Sequence, residues 1–505
     1  MIYKIGCNRN CGWVVLSLFF WILVFRFVPI EFYDLGGDSA QYIILSESLS
    51  QGKGFRMVNY PNEPLSFYYP PVFPLLLFLI TYFFGRNLYL MHLLVAFLGY
   101  LSLFFIYSLF KKYVDKKLAF FITWFFALNL LFVLYSTNYI LSDIPYLFFA
   151  SFTILMASRY MEKPSFINKE GFWVIFGLIL SYFTRYIGLT LFSGLLIPLL
   201  LTDKKNKFKK ILFIGGSFLF VFAIWNVLKL LNPTRLSYHF KQLLLVDPYA
   251  PYKGSLFAQP FNLFLRFIEG VNYYAVIIGR SLFFYIIKKW DFLSEALNLF
   301  SIVIVLFGLW LNFRKNRSCI FHYYFLFFVF FIVFWPFREG ERFILPILPL
   351  VFFYFFTGLK AIFGLLPNKI SYFCFLSLFL MLFILNILSF PNKKYSYQEL
   401  PQSLKHFISL HKWIRENLSD ENIIISRKPT ITYFYTNHKA INYPFSFDPE
   451  EIWREIRRDN VKYIISDEFS YETYLYLMPF LYKNKDKFKL LYHVQNTGIF
   501  EVKEE

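Results

Sequence analysis

Runs of about 17–25 apolar residues recur along most of this chain, and each is long enough to cross a lipid bilayer as an α-helix. Helices are expected because every backbone polar group must find a partner inside the bilayer. Hydrophobic residues make up 57% of the 505 residues and charged residues only 16%, whereas a soluble domain has roughly 25% charged residues. These features exclude a soluble enzyme and a disordered chain. They predict a polytopic α-helical membrane protein.

The basic residues indicate how the runs are oriented. They are concentrated between runs, for example in Lys111–Lys117 and Lys204–Lys210, and such clusters face the cytoplasm. The short run Pro70–Phe84 is predicted to be a re-entrant or interfacial helix, because a crossing there would place Lys111–Lys117 outside. The formal net charge of +19 is then explained by loops that face anionic lipid, and no nucleic-acid partner is expected.

With this orientation the sequence predicts eleven spans and a cytoplasmic N-terminus. The predicted spans are Gly12–Ile30, Leu88–Phe110, Leu118–Ser136, Ile144–Tyr160, Gly171–Phe183, Ile187–Leu201, Ile211–Leu231, Leu297–Phe313, Cys319–Phe337, Phe343–Gly364 and Ile370–Phe390. Residues 1–390 would form the transmembrane domain, with outer loops at 31–87 and 232–296.

Residues 391–505 differ in composition and are predicted to form a small α/β domain outside the cytoplasm. Asn422–Ser426 and Val461–Ser466 have the pattern of buried strands. The sequence Asp448-Pro449-Glu450-Glu451 predicts the start of a helix, with a capping residue, a proline in the first turn and acidic residues beside it.

Two aspartates stand out on the predicted outer face, where the functional polar groups of a membrane protein are expected. Asp38 follows two glycines in the first outer loop, and Tyr42 lies four residues later on the same helical face. Asp143 lies at the mouth of a predicted span, two residues before Pro145. Either aspartate could instead be an ordinary helix cap. Together they favour acid–base, metal-binding or orienting roles.

Arginines also occur on the predicted outer face, against the general trend. Arg185 lies between two short apolar runs, and Arg338 and Arg342 flank an acidic turn. A guanidinium group suits phosphate oxygens, although such arginines could also simply snorkel to the membrane interface. In the long outer loop, Phe261–Ile287 is predicted to be a helix at the membrane surface. The lone His239 is expected to be an ordinary polar residue rather than a metal ligand.

Five short motifs follow one another in a characteristic order. They are Gly37-Asp38-Ser39-Ala40-Gln41-Tyr42, Tyr69-Pro70-Pro71-Val72-Phe73-Pro74-Leu75-Leu76, Ser142-Asp143-Ile144-Pro145, Thr184-Arg185-Tyr186-Ile187-Gly188-Leu189 and Arg342-Phe343-Ile344-Leu345-Pro346-Ile347-Leu348-Pro349. In this order they resemble the bacterial membrane glycosyltransferases of the GT-C fold. Those enzymes are related to the dolichyl-phosphate-mannose–protein mannosyltransferases (family 39) and to the lipid A aminoarabinose transferase. The resemblance extends over nearly all of residues 1–390.

The resemblance implies a GT-C glycosyltransferase in a bacterial-type cytoplasmic (inner) membrane. Its donor would be a polyprenyl-phosphate-linked sugar, and its acceptor a hydroxyl of a protein, lipid or glycan on the outer face. Asp38 matches the catalytic acidic residue, which would act as general base in an inverting transfer. Asp143 matches the second-loop carboxylate, a second catalytic residue that would orient the sugar or the acceptor. Arg185 and Arg342 match positions near the lipid phosphate.

Three further side chains are assigned to the same site. Tyr69 is expected to donate a hydrogen bond to the donor phosphate. Tyr42 and Arg338 are expected to orient the substrate.

One departure from the pattern concerns a metal ion. The aminoarabinose transferase has an acidic residue and a lysine before its two prolines, whereas this chain has Tyr68-Tyr69. The motifs therefore do not establish a need for any cofactor. They leave open whether a divalent metal ion takes part.

The main competing function is that of a transporter or lipid-linked-sugar flippase without transferase activity, which would need polar groups near the bilayer midplane. A polysaccharide polymerase or ligase is a second competing function. The third is a non-catalytic membrane anchor for the tail.

Overall fold

The structure, a computed structural model, describes residues 9–29, 36–202, 206–232, 260–283, 291–335, 338–390, 398 and 400–503. These residues form two compact units. The helical unit contains the described residues within 9–28, 89–231 and 260–390. The mixed unit contains those within 29–88 and from 398 onward. The first outer loop and the tail therefore belong to one unit. His239 and most of the long outer loop lie outside the described residues.

The helices are named in chain order. They are α1 (Arg9–Phe27), α2 (Asp38–Ser50), α3 (Val72–Phe84), α4 (Leu88–Phe110), α5 (Lys116–Ala127), α6 (Leu130–Thr137), α7 (Asp143–Tyr160), α8 (Lys169–Thr184), α9 (Leu189–Thr202), α10 (Lys207–Leu231), α11 (Pro260–Phe283), α12 (Asp291–Lys315), α13 (Ile320–Phe334), α14 (Leu348–Phe363), α15 (Asn368–Leu388), α16 (Gln402–Asn417), α17 (Pro429–Thr436), α18 (Pro449–Asp459) and α19 (Met478–Lys483).

The apolar helices establish an integral membrane protein. Among the described residues, five helices are long and apolar enough to cross a bilayer, or six if the bent pair α5–α6 is one span. Other predicted spans are shorter helices, such as Gly12–Phe27, Tyr186–Leu201 and Ile320–Phe334. At 1.5 Å per residue, such helices are shorter than a hydrocarbon core of about 30 Å. The count of eleven spans is not confirmed and stays a prediction.

The predicted span Leu118–Ser136 is broken into α5 and α6, which meet at an angle of 53°. The side chain of Asn129 caps the start of α6 by accepting from the backbone N–H of Leu131. Asn386, a fully buried residue of α15, satisfies the interrupted backbone. It accepts from Leu130 N at 3.1 Å and donates to Leu128 O at 2.6 Å. The break therefore leaves these two backbone groups paired.

Helix α12 crosses α14 at a pair of facing glycines. A Cβ atom on Gly308 would collide with the carbonyl oxygen of Tyr354, and one on Gly358 would lie 2.7 Å from the carbonyl oxygen of Ile304. Only glycine permits this close backbone approach, which is a common way of packing helices in membranes. The contact fixes α14, whose preceding turn contains one of the candidate site residues.

The predicted surface segment Phe261–Ile287 is α11 over Pro260–Phe283. The second half of this helix contains buried residues such as Tyr274, Ile277 and Leu282. It packs against α12 and α13. The placement of α11 at the membrane surface stays a prediction.

The mixed unit contains a five-stranded sheet in the order β2-β1-β3-β5-β4. The strands are β1 (Ile423–Ile425), β2 (Ala440–Ile441), β3 (Val461–Ser466), β4 (Phe488–Val494) and β5 (Thr497–Val502). Strands β2, β1 and β3 are parallel, whereas β5 is antiparallel to both β3 and β4. Both predicted strands are present, as β1 and β3. The predicted helix start is also present, since Asp448 accepts from Glu450 N at 3.0 Å.

Candidate functional site

Asp143 is completely buried and is bound by two arginines in the helical unit. The Nε of Arg342 donates to its Oδ2 at 2.9 Å, and Arg185 pairs with its Oδ1. The side chains of Arg185 and Arg342 are 15% and 13% exposed. A buried carboxylate is stable only when it is paired. Here one carboxylate holds two guanidinium groups in fixed positions.

Each member of this cluster stands where a helix begins or ends. Asp143 is the first residue of α7, and Arg185 is an extended residue that separates α8 from the short turn before α9. Arg342 lies in the helical turn Gly340–Phe343, which precedes α14. The turn begins at Gly340, whose φ of +65° is in the region that favours glycine. Helix termini from distant parts of the chain thus supply the three charges.

Two further residues complete the surroundings of the arginines. Glu339 accepts from Nη1 of Arg342 at 2.8 Å and is 43% exposed. The guanidinium group of Arg185 lies 5.7 Å from the ring centroid of Phe343. The motifs identify Glu339 only as part of an acidic turn. Its position three residues before Arg342, on one helical turn, is the signal that could have predicted the pair.

Asp38 is the first residue of α2 in the mixed unit, and it accepts a hydrogen bond from the hydroxyl of Tyr69 at 3.0 Å. Gly37 precedes it with a φ of +100°, so the chain enters the helix through a conformation that favours glycine. Burial and the carboxylate of Asp38 raise the pKa of Tyr69 well above its ordinary value. The phenol therefore stays protonated and remains a donor to Asp38.

Aromatic rings hold Tyr69 in place. Tyr42, one turn after Asp38, contacts Tyr69 edge-on at 5.2 Å and Phe73 at 5.0 Å between ring centroids. Tyr68 contacts Tyr69 at 4.9 Å. Asp38, Tyr42 and Tyr69 therefore lie together, and Tyr69 donates to Asp38. The contact of Tyr69 with the donor phosphate and the role of Tyr42 in orienting the substrate stay predictions. Tyr42 itself is a buried packing residue.

Arg338 makes contacts of a different kind. Its guanidinium group donates to the backbone oxygens of Val333 at 3.1 Å, Trp335 at 3.0 Å and Arg266 at 3.0 Å. The first two bonds satisfy carbonyls at the end of α13, which have no partner of their own after a helix ends. The third bond joins Arg338 to the interior of α11. The contacts favour a structural contribution. The role of Arg338 in orienting substrate stays a prediction.

The described residues contain no group of three His, Cys, Asp or Glu side chains that could hold a metal ion. Within the described residues, the carboxylates at the two places, Asp143 with Glu339 and Asp38, have arginine or tyrosine partners. These donor sets do not fit a divalent cation, which is usually bound by several oxygen ligands.

The fold is that of the GT-C membrane glycosyltransferases, and the resemblance predicted from the motifs is confirmed. Residues 69–228 match the family model described as dolichyl-phosphate-mannose-protein mannosyltransferase. This segment includes Tyr69, Asp143 and Arg185. A search of the curated proteins found no match.

Solved structures of two kinds are similar to this chain. The structure of ArnT from Cupriavidus metallidurans bound to undecaprenyl phosphate has a TM-score of 0.57 at 11% identity, and the match covers 98% of each chain. The archaeal oligosaccharyltransferase AglB from Archaeoglobus fulgidus, in complex with an inhibitory peptide and a dolichol-phosphate, has a TM-score of 0.56 at 15% identity. That match covers 90% of this chain and 69% of the other.

Proposed function

We propose that this protein is a glycosyltransferase that moves a sugar from a polyprenyl-phosphate-linked donor to a hydroxyl acceptor at the outer face of the membrane. The observation that carries the proposal is the buried Asp143 with its two arginines, since two of these three residues lie in the segment that matches the mannosyltransferase family model. The comparisons do not favour a transporter or flippase.

The arginine cluster suits a lipid-linked phosphate. Without Glu339, two guanidinium groups and one buried carboxylate have an excess of one positive charge; Glu339 balances it from the exposed side of Arg342, where water also hydrates its carboxylate. Asp143 is inaccessible and occupied on both oxygens, so it acts as the anchor of Arg185 and Arg342 rather than as a proton acceptor. The arginines would bind the donor phosphate and stabilise the second negative charge that develops as the phosphate leaves.

Asp38 would be the general base. An acceptor oxygen attacks the anomeric carbon, the bond from that carbon to the phosphate oxygen breaks, and the proton of the acceptor passes to the Asp38 carboxylate. A single displacement of this kind inverts the anomeric centre. Tyr69 orients the carboxylate through its hydrogen bond. All these steps use side chains of the chain itself.

The ligands of the similar structures support a lipid-phosphate donor in general terms. One was determined with undecaprenyl phosphate, and the other with a dolichol-phosphate and a peptide. The proposal includes the predicted orientation, with the N-terminus in the cytoplasm and the α/β tail outside a bacterial-type inner membrane. Protein, lipid and glycan acceptors are all compatible with it.

The test uses membranes that contain the full-length protein, incubated with radiolabelled undecaprenyl-phosphate sugars. Label is expected to move into a protein, lipid or glycan fraction. The Asp38→Asn variant should lose about 10²–10⁴-fold of this transfer, as expected when a general base is removed.

Asp486→Asn is the matched control, because Asp486 is an exposed carboxylate of the tail. It should transfer like the parent protein. A folded, membrane-inserted Asp38→Asn variant with undiminished transfer would overturn the proposal. Movement of the labelled lipid across the membrane without a new covalent product would support a flippase instead.

A further inference from the structure

Helix α17 of the tail packs along α2 of the first outer loop, within the mixed unit. At the start of α2, the hydroxyl of Thr430 donates to Oε1 of Gln41 at 3.1 Å. The amide nitrogen of Gln41 donates in turn to Oδ1 of Asn59 at 3.4 Å. Asn59 is itself tied to the sheet, because its carbonyl accepts from the N–H of Ala440 in β2 at 2.9 Å. Gln41 is completely buried, so both ends of its amide are engaged by fixed partners.

A second contact lies on the other side of Asp38. The Nζ of Lys428 donates to the carbonyl oxygen of Gly36 at 3.5 Å. Gly36 precedes Asp38 by two residues, and Gln41 follows it by three. The N–H of Gln41 also closes the first turn of α2 by donating to Gly37 O at 2.9 Å. The tail segment 428–430 therefore holds the chain both before and after the proposed base.

The far end of α2 is fastened to the same tail helix. Arg86 pairs with Glu47, with an Nη2–Oε2 distance of 2.8 Å. Its Nη1 donates to the carbonyl oxygen of Phe434 at 3.0 Å, and its guanidinium group lies 4.9 Å from the Phe434 ring centroid. Helix α2 is thus attached to α17 at both ends, which restricts its sliding as well as its rotation.

The place of these contacts in the sheet is informative. The turn from β1 to α17 lies at the carboxyl ends of the parallel strands, and β2 and β3 lie on opposite sides of β1. In open α/β sheets this edge is where ligands usually bind. Here Lys428 and Thr430 from this edge contact the loop that contains Asp38.

We propose that Lys428 and Thr430 of the tail are positioning residues that hold the Asp38 carboxylate in its reactive place, acting through Gly36 and Gln41. The inference rests on the proposed function, in which Asp38 is the general base. Its physical reason is that a displacement of about 1 Å between a base and its substrate reduces the rate about 10²-fold. Directional hydrogen bonds on both sides of Asp38 restrict such a displacement more than apolar packing alone.

The experiment compares Thr430→Val, which removes the hydroxyl at nearly constant size, with Thr430→Ser, which keeps it. In full-length protein in membranes, with radiolabelled undecaprenyl-phosphate sugar as probe, Thr430→Val should lower kcat about 10–100-fold with little change in the KM of the donor. Thr430→Ser should recover most of the activity. Lys428→Ala should act in the same direction, whereas Lys412→Ala, at an exposed tail lysine, should not.

Combination with Asp38→Asn separates this inference from the proposed function. If Thr430 acts through Asp38, Thr430→Val causes no further loss in the Asp38→Asn background. An additive loss there, or an unchanged kcat in Thr430→Val alone, overturns the positioning role. Full activity of Asp38→Asn alone overturns the proposed function instead. In that case, hydrogen exchange of the amides of residues 38–44 still tests whether Thr430 holds α2 in place. Faster exchange in Thr430→Val than in the parent protein supports this contact, and unchanged exchange refutes it.

Discussion

Arg342 donates through Nε to Oδ2 of Asp143 at 2.9 Å, across 199 positions of sequence. The other carboxylate oxygen is paired with Arg185. One buried anion therefore sets the positions of two cations that come from separate helix termini. In the proposed reaction this arrangement places both guanidinium groups before the phosphate arrives, so little reorganisation is needed when charge develops.

Asp143→Asn is expected to destabilise the helical unit. The amide cannot neutralise the two buried guanidinium groups, and loss of one partner of a buried ion pair costs about 3–5 kcal/mol. The apparent melting temperature in detergent should fall by several degrees. The double variant Asp143→Asn with Arg342→Gln should recover part of the loss, because one stranded cation is removed. Equal melting temperatures for Asp143→Asn and the parent protein would contradict the ion-pair interpretation.

Arg342→Lys and Arg185→Lys test the phosphate contact. A lysine keeps the charge but not the planar fork that reaches Asp143 and a phosphate together. Each variant should lose about 10²-fold in kcat/KM for the lipid-linked donor, as measured by initial rates of label transfer. Arg454→Lys is the matched control, since Arg454 is exposed on α18. Lysine variants as active as this control would show that a fork-like contact is not required.

The charged members of the site could be predicted from the sequence, but their pairing could not. Asp143, Arg185 and Arg342 stand out because charges at the ends of apolar runs are costly and rare. Their convergence depends on how α7, α8 and α14 pack, and close contacts such as that of Gly177 in α8 with Thr153 in α7 contribute to that packing. A pattern along one chain contains no information about which helix termini meet.

In the tail, too, the sequence predicts the local elements but not the contacts between distant residues. The strands β1 and β3 were predictable because short runs of β-branched residues bounded by polar residues favour buried strands. The attachment of the tail to the first outer loop was not, since Thr430 and Gln41 are 389 positions apart. The break between α5 and α6 had a local signal in Asn129, a good capping residue within an apolar run.

The tail should lose stability in acid because of His411. Burial lowers the pKa of this imidazole from 6.5 to about 4, and its Nε2 is hydrogen-bonded to Thr432 at 3.0 Å. The unfolded chain binds the proton at higher pH than the folded chain does. Protonation of His411 therefore does not reduce the free energy of unfolding of the tail above pH 6.5. As the pH falls from 6.5 toward 4, this free energy decreases by a few kcal/mol, at about 1.4 kcal/mol per pKa unit.

His411→Gln removes this titration and should flatten the dependence of stability on pH between 6.5 and 4. Trp413 stacks on Tyr492 at 4.7 Å, so hydrogen exchange of the backbone amides around Trp413 provides a local readout of unfolding. Some dependence should remain from His438, whose pKa is also lowered by burial. The same slope in the variant and the parent protein would exclude His411 as its source.

Asn386→Leu should destabilise the bend between α5 and α6. The substitution leaves the N–H of Leu130 and the carbonyl of Leu128 without these partners in an apolar surrounding, at about 1–3 kcal/mol for each group. The matched control is Asn226→Leu, because Asn226 is only half-buried, and its side chain donates to Phe222 O within its own helix α10 beside a hydrogen bond with the side chain of Tyr182. In detergent, the apparent melting temperature should fall by several degrees for Asn386→Leu and by much less for Asn226→Leu. If both variants melt alike, the bend does not depend on Asn386, and the capping by Asn129 is sufficient to maintain it.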